Sequence, residues 1–341
     1  MKTQNILLSL VLMLVLAFSA CREVTVTTKV NPDWTFTRII TVTGEDSSVF
    51  KTDLPFPVDE TWARLSSRDT SDSTKYIVTY TKAFRNSSEL NAEIKSDTSK
   101  YKNLERDISV TKRFRFFFSY LTFKEVYISA NPFTKLDYRD YLTEEDIQWG
   151  TGLKLPVSAA DSSRKEEADD KITAFLQESI IAEIESPLLD GMKKLNNPLL
   201  KPEDVTMYHD SLVGSFDWDK LEGTEIIDRY RELSGNEAFL LLKDIKPPLF
   251  EDLQKKYEMF LATVLLDGYT EIVEMPGLIT GTNSAMLNGN QVRWDFQGGN
   301  IMVRDFEMYA ESRVINYWAF VLAGVVMLAL VLLLVIKAIR K

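Results

Sequence analysis

The segment Asn288-Gly289-Asn290-Gln291-Val292-Arg293-Trp294-Asp295-Phe296 decides how this chain of 341 residues folds. Asn-Gly supplies the left-handed backbone of a tight hairpin turn, and Val292, Trp294 and Phe296 then alternate with polar residues at the period of a half-buried strand. Working outward, Tyr269 to Met275 reads as the strand before the turn. Ile301 to Tyr309, after Gly298-Gly299, reads as a strand beyond it, so the region predicts a three-stranded meander. The same alternation marks the other end of the chain. Val24, Val26 and Val30, then Trp34, Phe36, Ile40 and Val42, predict two strands joined at Asn31-Pro32-Asp33.

Between these ends the pattern changes. Residues 44 to 73 read as loop, with Pro55, Pro57 and a polar run. Tyr76 to Tyr80 is a strand and Ser87 to Ser96 a polar helix. From Ile108 to Ile128, Phe114, Phe116, Phe118 and Tyr120 alternate with Arg113, Arg115, Phe117 and Ser119. This reads as one or two central strands packed on both faces. The sharper reading makes it an aromatic platform for a ligand or partner, with Phe117 in it and Arg113 and Arg115 at its rim. Further on, Asp161 and Ser162 offer N-caps to a run in which Ile172, Phe175, Leu176, Ile180, Ile181 and Ile184 recur at helical spacing up to Pro187. Leu253, Tyr257, Phe260, Leu261 and Val264 mark a second amphipathic helix, stopped by Asp267-Gly268. The class is therefore α+β: an antiparallel sheet of N- and C-terminal strands, with residues 140 to 266 inserted as a helical subdomain.

Two further segments are membrane-directed. Residues 1 to 20 hold one cation, Lys2, an apolar run from Ile6 to Phe18 and small residues before Cys21, the layout of a signal peptide. Residues 316 to 336 are uncharged and as long as a bilayer's hydrocarbon core is thick, about 30 Å. Tyr317 and Trp318 mark one interface, and the cationic tail 337 to 341 marks the cytoplasmic side by the positive-inside rule. Residues 21 to 315 are then exported. Both anchors reach one leaflet on this reading, so the strand after Cys21 is expected to start near the lipid.

Composition excludes several functions. The chain is 45% hydrophobic with a net charge of −10, so it folds around a core and lacks the cationic tract that nucleic acid requires. One Cys and one His cannot build a Cys/His zinc cage, a disulfide or a c-type haem site. His209-Asp210-Ser211 has the residue types of a hydrolytic triad but no nucleophile elbow beside it. Asp217-Trp218-Asp219 with Glu222 departs from a calcium loop, since Leu221 occupies a ligand position. No cofactor, metal site or catalytic residue is assigned.

The stretch Leu16-Ala17-Phe18-Ser19-Ala20-Cys21 resembles the lipobox of bacterial lipoproteins, which implies lipid attachment at Cys21. Met275-Pro276-Gly277, Gly281-Thr282-Asn283 and Gly289-Asn290-Gln291-Val292-Arg293-Trp294 resemble the C-terminal motif of the LppM-like domain of such lipoproteins. The resemblance implies a membrane-anchored envelope module, held in the bacterial cytoplasmic membrane with its main domain on the extracytoplasmic side. Its expected role is binding or scaffolding, with envelope proteins or a lipid or glycan ligand as partners; the alternative is an envelope hydrolase using a carboxylate pair. Mass spectrometry of the native N-terminus should find residues 1 to 20 removed and Cys21 acylated. An unmodified Cys21 or an intact Met1 would sink the lipoprotein reading.

Overall fold

Asn288-Gly289 makes the turn its sequence demands, with Gly289 at φ +62° between β9 (Met286–Asn288) and β10 (Gln291–Phe296). β10 runs antiparallel to β7 (Tyr269–Glu274) and buries Val292, Trp294 and Phe296. In this computed structural model the described residues are 22–45, 54, 56–70, 72–97, 101–102, 104–214 and 223–340. Residues 1 to 20, Cys21, and the Asp217 to Glu222 segment lie outside them.

The remaining strands are β1 (Arg22–Val30), β2 (Phe36–Gly44), β3 (Ala63–Arg68), β4 (Tyr76–Phe84), β5 (Arg106–Arg115), β6 (Phe118–Tyr127), β8 (Leu278–Thr282) and β11 (Phe306–Ile315). The helices are α1 (Ser87–Lys95), α2 (Glu144–Gly150), α3 (Ala159–Leu195), α4 (Glu203–Thr206), α5 (His209–Gly214), α6 (Gly223–Ser234), α7 (Glu251–Val264) and α8 (Tyr317–Ile339). The chain divides into two compact units. Among the described residues, one lies within 22–127, 267–296 and 306–340, and the other within 128–266 and 297–305.

The first unit is a two-sheet sandwich. One sheet has the order β3-β4-β2-β1-β7-β10-β9 and the other β5-β6-β11-β8. N- and C-terminal strands share the larger sheet as expected, but β1 pairs with β7 in parallel, so this sheet is mixed rather than antiparallel. The expected meander also ends early. After β10 the chain makes a 3-10 turn at Gly298–Ile301, and β11 joins the other sheet between β6 and β8. Trp34 was expected on the buried face; it sits in the turn at φ +69° and is 48% exposed, because the strand restarts only at Phe36. β3 lies within the expected loop. All its residues are exposed, so an edge strand without a buried face left no alternation to read.

Between the sheets lies a buried polar cluster. Arg38 of β2 reaches Glu125 of β6 with two nitrogens, at 3.2 Å each, and Glu271 of β7 at 3.1 Å, all fully buried. Thr28 donates to Glu271 at 2.8 Å, and Tyr127 donates to Glu125 at 2.8 Å. Arg106 donates to the Tyr127 hydroxyl at 3.0 Å, and the Tyr127 and Tyr269 hydroxyls are hydrogen-bonded to each other. Phe56 covers both guanidinium groups, 4.6 Å from Arg38 and 4.2 Å from Arg106. Two cations face two carboxylates, which limits the cost of taking charge out of water. Burial still pushes the Glu271 carboxyl up to about 8, against the pull of Arg38.

The quoted motif builds the same sandwich. Asn283 accepts from the Trp294 indole at 3.1 Å and from the Tyr309 backbone at 3.0 Å, and donates to the Glu307 carbonyl at 2.6 Å, tying β10 to β11 across the sheets. Gly277 has φ +82°, and a Cβ there would strike the Arg313 carbonyl.

The second unit is organised on α3, capped by Ser158 rather than by Asp161 or Ser162. The helix also runs through Pro187 instead of ending there. Its apolar face continues past the proline as Leu188, Gly191 and Met192, and that burial offsets the roughly 3 kcal/mol an interior proline costs. Glu183 fastens this helix to the rest, accepting from the Thr134 backbone at 3.1 Å and from Lys256 at 2.8 Å.

Replacing Arg38 by Met should destabilise the sandwich by about 3 to 5 kcal/mol, since Glu125 and Glu271 would then be buried without the guanidinium that bonds both of them. Denaturant unfolding of the full chain in detergent reads this. A loss below about 1 kcal/mol, the range of an exposed pair, would mean that water enters the cluster.

Candidate functional site

The residues singled out from sequence, Arg113, Arg115 and Phe117, lie at the β5–β6 tip. The two strands pair down to Arg115 opposite Phe118, which leaves Phe116 and Phe117 as the turn. Neither has a positive φ, so this is not the glycine- or asparagine-based turn that usually closes a two-residue hairpin. Carbonyls at the turn accept from Asn316, the residue before α8. The Asn316 backbone N–H donates to Phe117 O at 2.9 Å, and its side-chain amide donates to Phe116 O at 3.1 Å and Arg115 O at 3.3 Å. Ser119 donates back to Asn316 Oδ1 at 3.0 Å.

The rings complete the joint. Trp318 stacks on Phe114 at 6.0 Å and meets Phe116 edge-on at 5.6 Å, while Phe320 contacts Phe117 at 4.8 Å and Phe118 at 6.1 Å. The reading of this stretch as strands packed on both faces is thus corrected at the tip, where Phe114, Phe116 and Phe117 are 55%, 44% and 38% exposed. Arg113 lies 5.3 Å from the Tyr120 ring and a loose 3.9 Å from Glu311; Arg115 is exposed. Sequence reasoning missed Asn316, Trp318 and Phe320 as partners of the tip. The usable signal was one polar residue followed by aromatics at the start of an apolar run.

From this joint α8 runs for 23 residues, almost none of it buried, and it is long and apolar enough to cross a membrane. The strand after position 21 starts elsewhere. Lys112 of β5 donates to Pro32 O at 2.8 Å, so the β1–β2 turn is the end of the larger sheet that faces the tip. Arg22 is at the other end of β1, about 26 Å away for a nine-residue strand, contrary to the expectation that the chain leaves the lipid there.

The helical unit holds a half-open cavity of about 440 Å3 between α3, α7 and the Gly298–Ile301 turn. Ile172, Leu176, Phe260, Leu261, Met302 and Val303 give it an apolar wall, and Asp169 is the sole carboxylate among its lining residues. The triad-like residues serve another purpose. His209 is held by Glu178 at 2.7 Å on Nε2 and Glu185 at 2.9 Å on Nδ1. Burial opposes its protonation, but hydrogen bonds to Glu185 and Glu178 outweigh it and raise its pKa above the usual value, which suits an imidazolium clasp fastening α5 to α3. Among the described residues no group of His, Cys, Asp and Glu is placed to hold a metal ion.

No family model matches the chain, and no curated protein matches it. Among solved structures, the NMR structure of the folded domain of the LppM protein of Mycobacterium tuberculosis is similar over 87% of this chain and 91% of that one. The identity is 11% and the TM-score 0.28. At that score nothing about this chain's site follows from the likeness.

Asn316→Ala should free the tip from the root of α8. Hydrogen exchange over residues 113 to 119 should then quicken, at a cost of about 1 to 3 kcal/mol for carbonyls left without their donor. Unchanged exchange would show that the ring contacts alone hold the joint.

Proposed function

We propose that the chain is a bacterial envelope protein held in the cytoplasmic membrane by α8, with its two folded units on the extracytoplasmic side acting as a binding or scaffolding module. The observation that carries this reading is the joint itself: a span-length apolar helix rooted in the sandwich through Asn316, with no linker between them. A module fixed so closely to its anchor is held at a set height over the bilayer, which suits presentation of a binding surface. The cationic residues Lys337 and Arg340 at the far end of α8 favour the cytoplasm for that end.

The cavity supports binding over hydrolysis. A glycosidase needs two carboxyl groups about 5 to 9.5 Å apart, whereas this wall offers Asp169 and otherwise apolar or neutral groups. Its volume falls within the range of ligand pockets, about 300 to 1,000 Å3, and its lining suits an apolar or amphiphilic molecule. Native mass spectrometry of the full chain, released from detergent after purification from membranes, should show a small-molecule adduct. Leu176→Trp, which fills the cavity, should abolish it. An adduct retained in the variant, or none in the parent chain, would count against a ligand at this place.

A further inference from the structure

Hairpin tips exposed to water ordinarily carry glycine, asparagine or aspartate. This one carries Phe116-Phe117, with Phe114 beside them, and all three rings remain more than a third exposed after packing against α8. Each exposed ring forgoes the gain of leaving water, about 25 cal/mol per Å2 of apolar surface. The position of the tip along α8 indicates what covers it. At 1.5 Å per residue the 23 residues of α8 measure about 34 Å, only slightly more than the roughly 30 Å hydrocarbon core, so its first turn must lie at the boundary with the headgroups. Trp318 and Phe320 belong to that turn. Phe114, Phe116 and Phe117 touch those two side chains and therefore lie at the same depth.

Charge gives a second, independent indication. The chain as a whole carries −10, yet residues 112 to 118 hold Lys112, Arg113 and Arg115 with no acid among them. Arg313, from the neighbouring end of β11, adds a guanidinium 4.7 Å from the Phe118 ring. Glu311 faces this group and reaches Arg113 only at 3.9 Å. Exposed aromatic rings with arginines beside them match the two layers of a phospholipid interface, acyl boundary and phosphate.

We propose that the β5–β6 tip is a second membrane-contact element: Phe114, Phe116 and Phe117 enter the interface of the bilayer that α8 crosses, and Arg113, Arg115 and Arg313 take lipid phosphates. This rests on the reading of α8 as a span and deepens it. A single spanning helix, even one rigidly joined to the sandwich, can tilt in the bilayer and turn about its own axis; the tip adds a second contact that fixes which side of the sandwich faces the lipid.

Depth-dependent quenching tests it. A fluorescent amino acid is placed singly at position 117, 65 or 328 of the full chain, and the protein is reconstituted into phosphatidylcholine and phosphatidylglycerol vesicles with acyl chains brominated at shallow or deep positions. The probe replacing Phe117 should be quenched by shallow bromines, at the depth of about 5 to 10 Å typical of interfacial side chains. The probe replacing Leu328 should be quenched by deep bromines, and that replacing Leu65, on the exposed edge strand, by neither. Quenching at 328 without quenching at 117 would overturn the proposal and leave the span standing. No quenching at 328 would overturn the span and the proposal with it.

Discussion

Arg38 is the constraint on which the sandwich depends. A guanidinium without solvent exposure must find partners in the protein, and its partners come from both sheets: Glu271 in its own and Glu125 in the facing one. Any slip of one sheet over the other separates charges that water cannot reach. One residue of register would turn Arg38 or Glu125 to the outer face altogether. The cluster therefore specifies the alignment of the sheets more than it adds net stability, since buried ion pairs spend most of their attraction on desolvation. Thr28 donates to Glu271, Tyr127 donates to Glu125, Arg106 donates in turn to the Tyr127 hydroxyl, and Phe56 covers both guanidinium groups with its ring face.

That alignment carries through to the root of α8. With Arg38 set against Glu125, the β1–β2 turn reaches Lys112, and β5 and β6 project past it to the Phe116-Phe117 tip. β11 pairs residue for residue with β6 and ends at Ile315, beside the base of that tip. Asn316 is thus delivered to the carbonyls of Arg115, Phe116 and Phe117 at the hairpin turn. α8 is attached to the fold by register and hydrogen bonding, not through a linker.

The helical unit follows a different logic. α3 survives an internal proline because burial continues along the same face, and it is clasped by ionic contacts at Glu183 and at His209. His209 shows how a suggestive triplet can mislead: its neighbours in sequence, Asp210 and Ser211, are not its ring partners, which come instead from α3.

Local pattern determined the elements whose stability is local: the Asn288-Gly289 hairpin, the alternating strands 24 to 42, the buried Trp294, the amphipathic runs of α3 and α7, and the apolar length of α8. In each, the periodicity of burial is written in adjacent residues. Elements held by distant partners were not legible. β3 lacks a buried face, β11 leaves its neighbours for another sheet, and β1 joins β7 in parallel across more than 230 intervening residues. The site divides in the same way. The aromatic and basic character of residues 113 to 117 stood in the sequence. Its meeting with Asn316, Trp318 and Phe320 was decided only by the fold, because it depends on the register of β11 against β6, and pairing register is a property of two strands together and of neither alone.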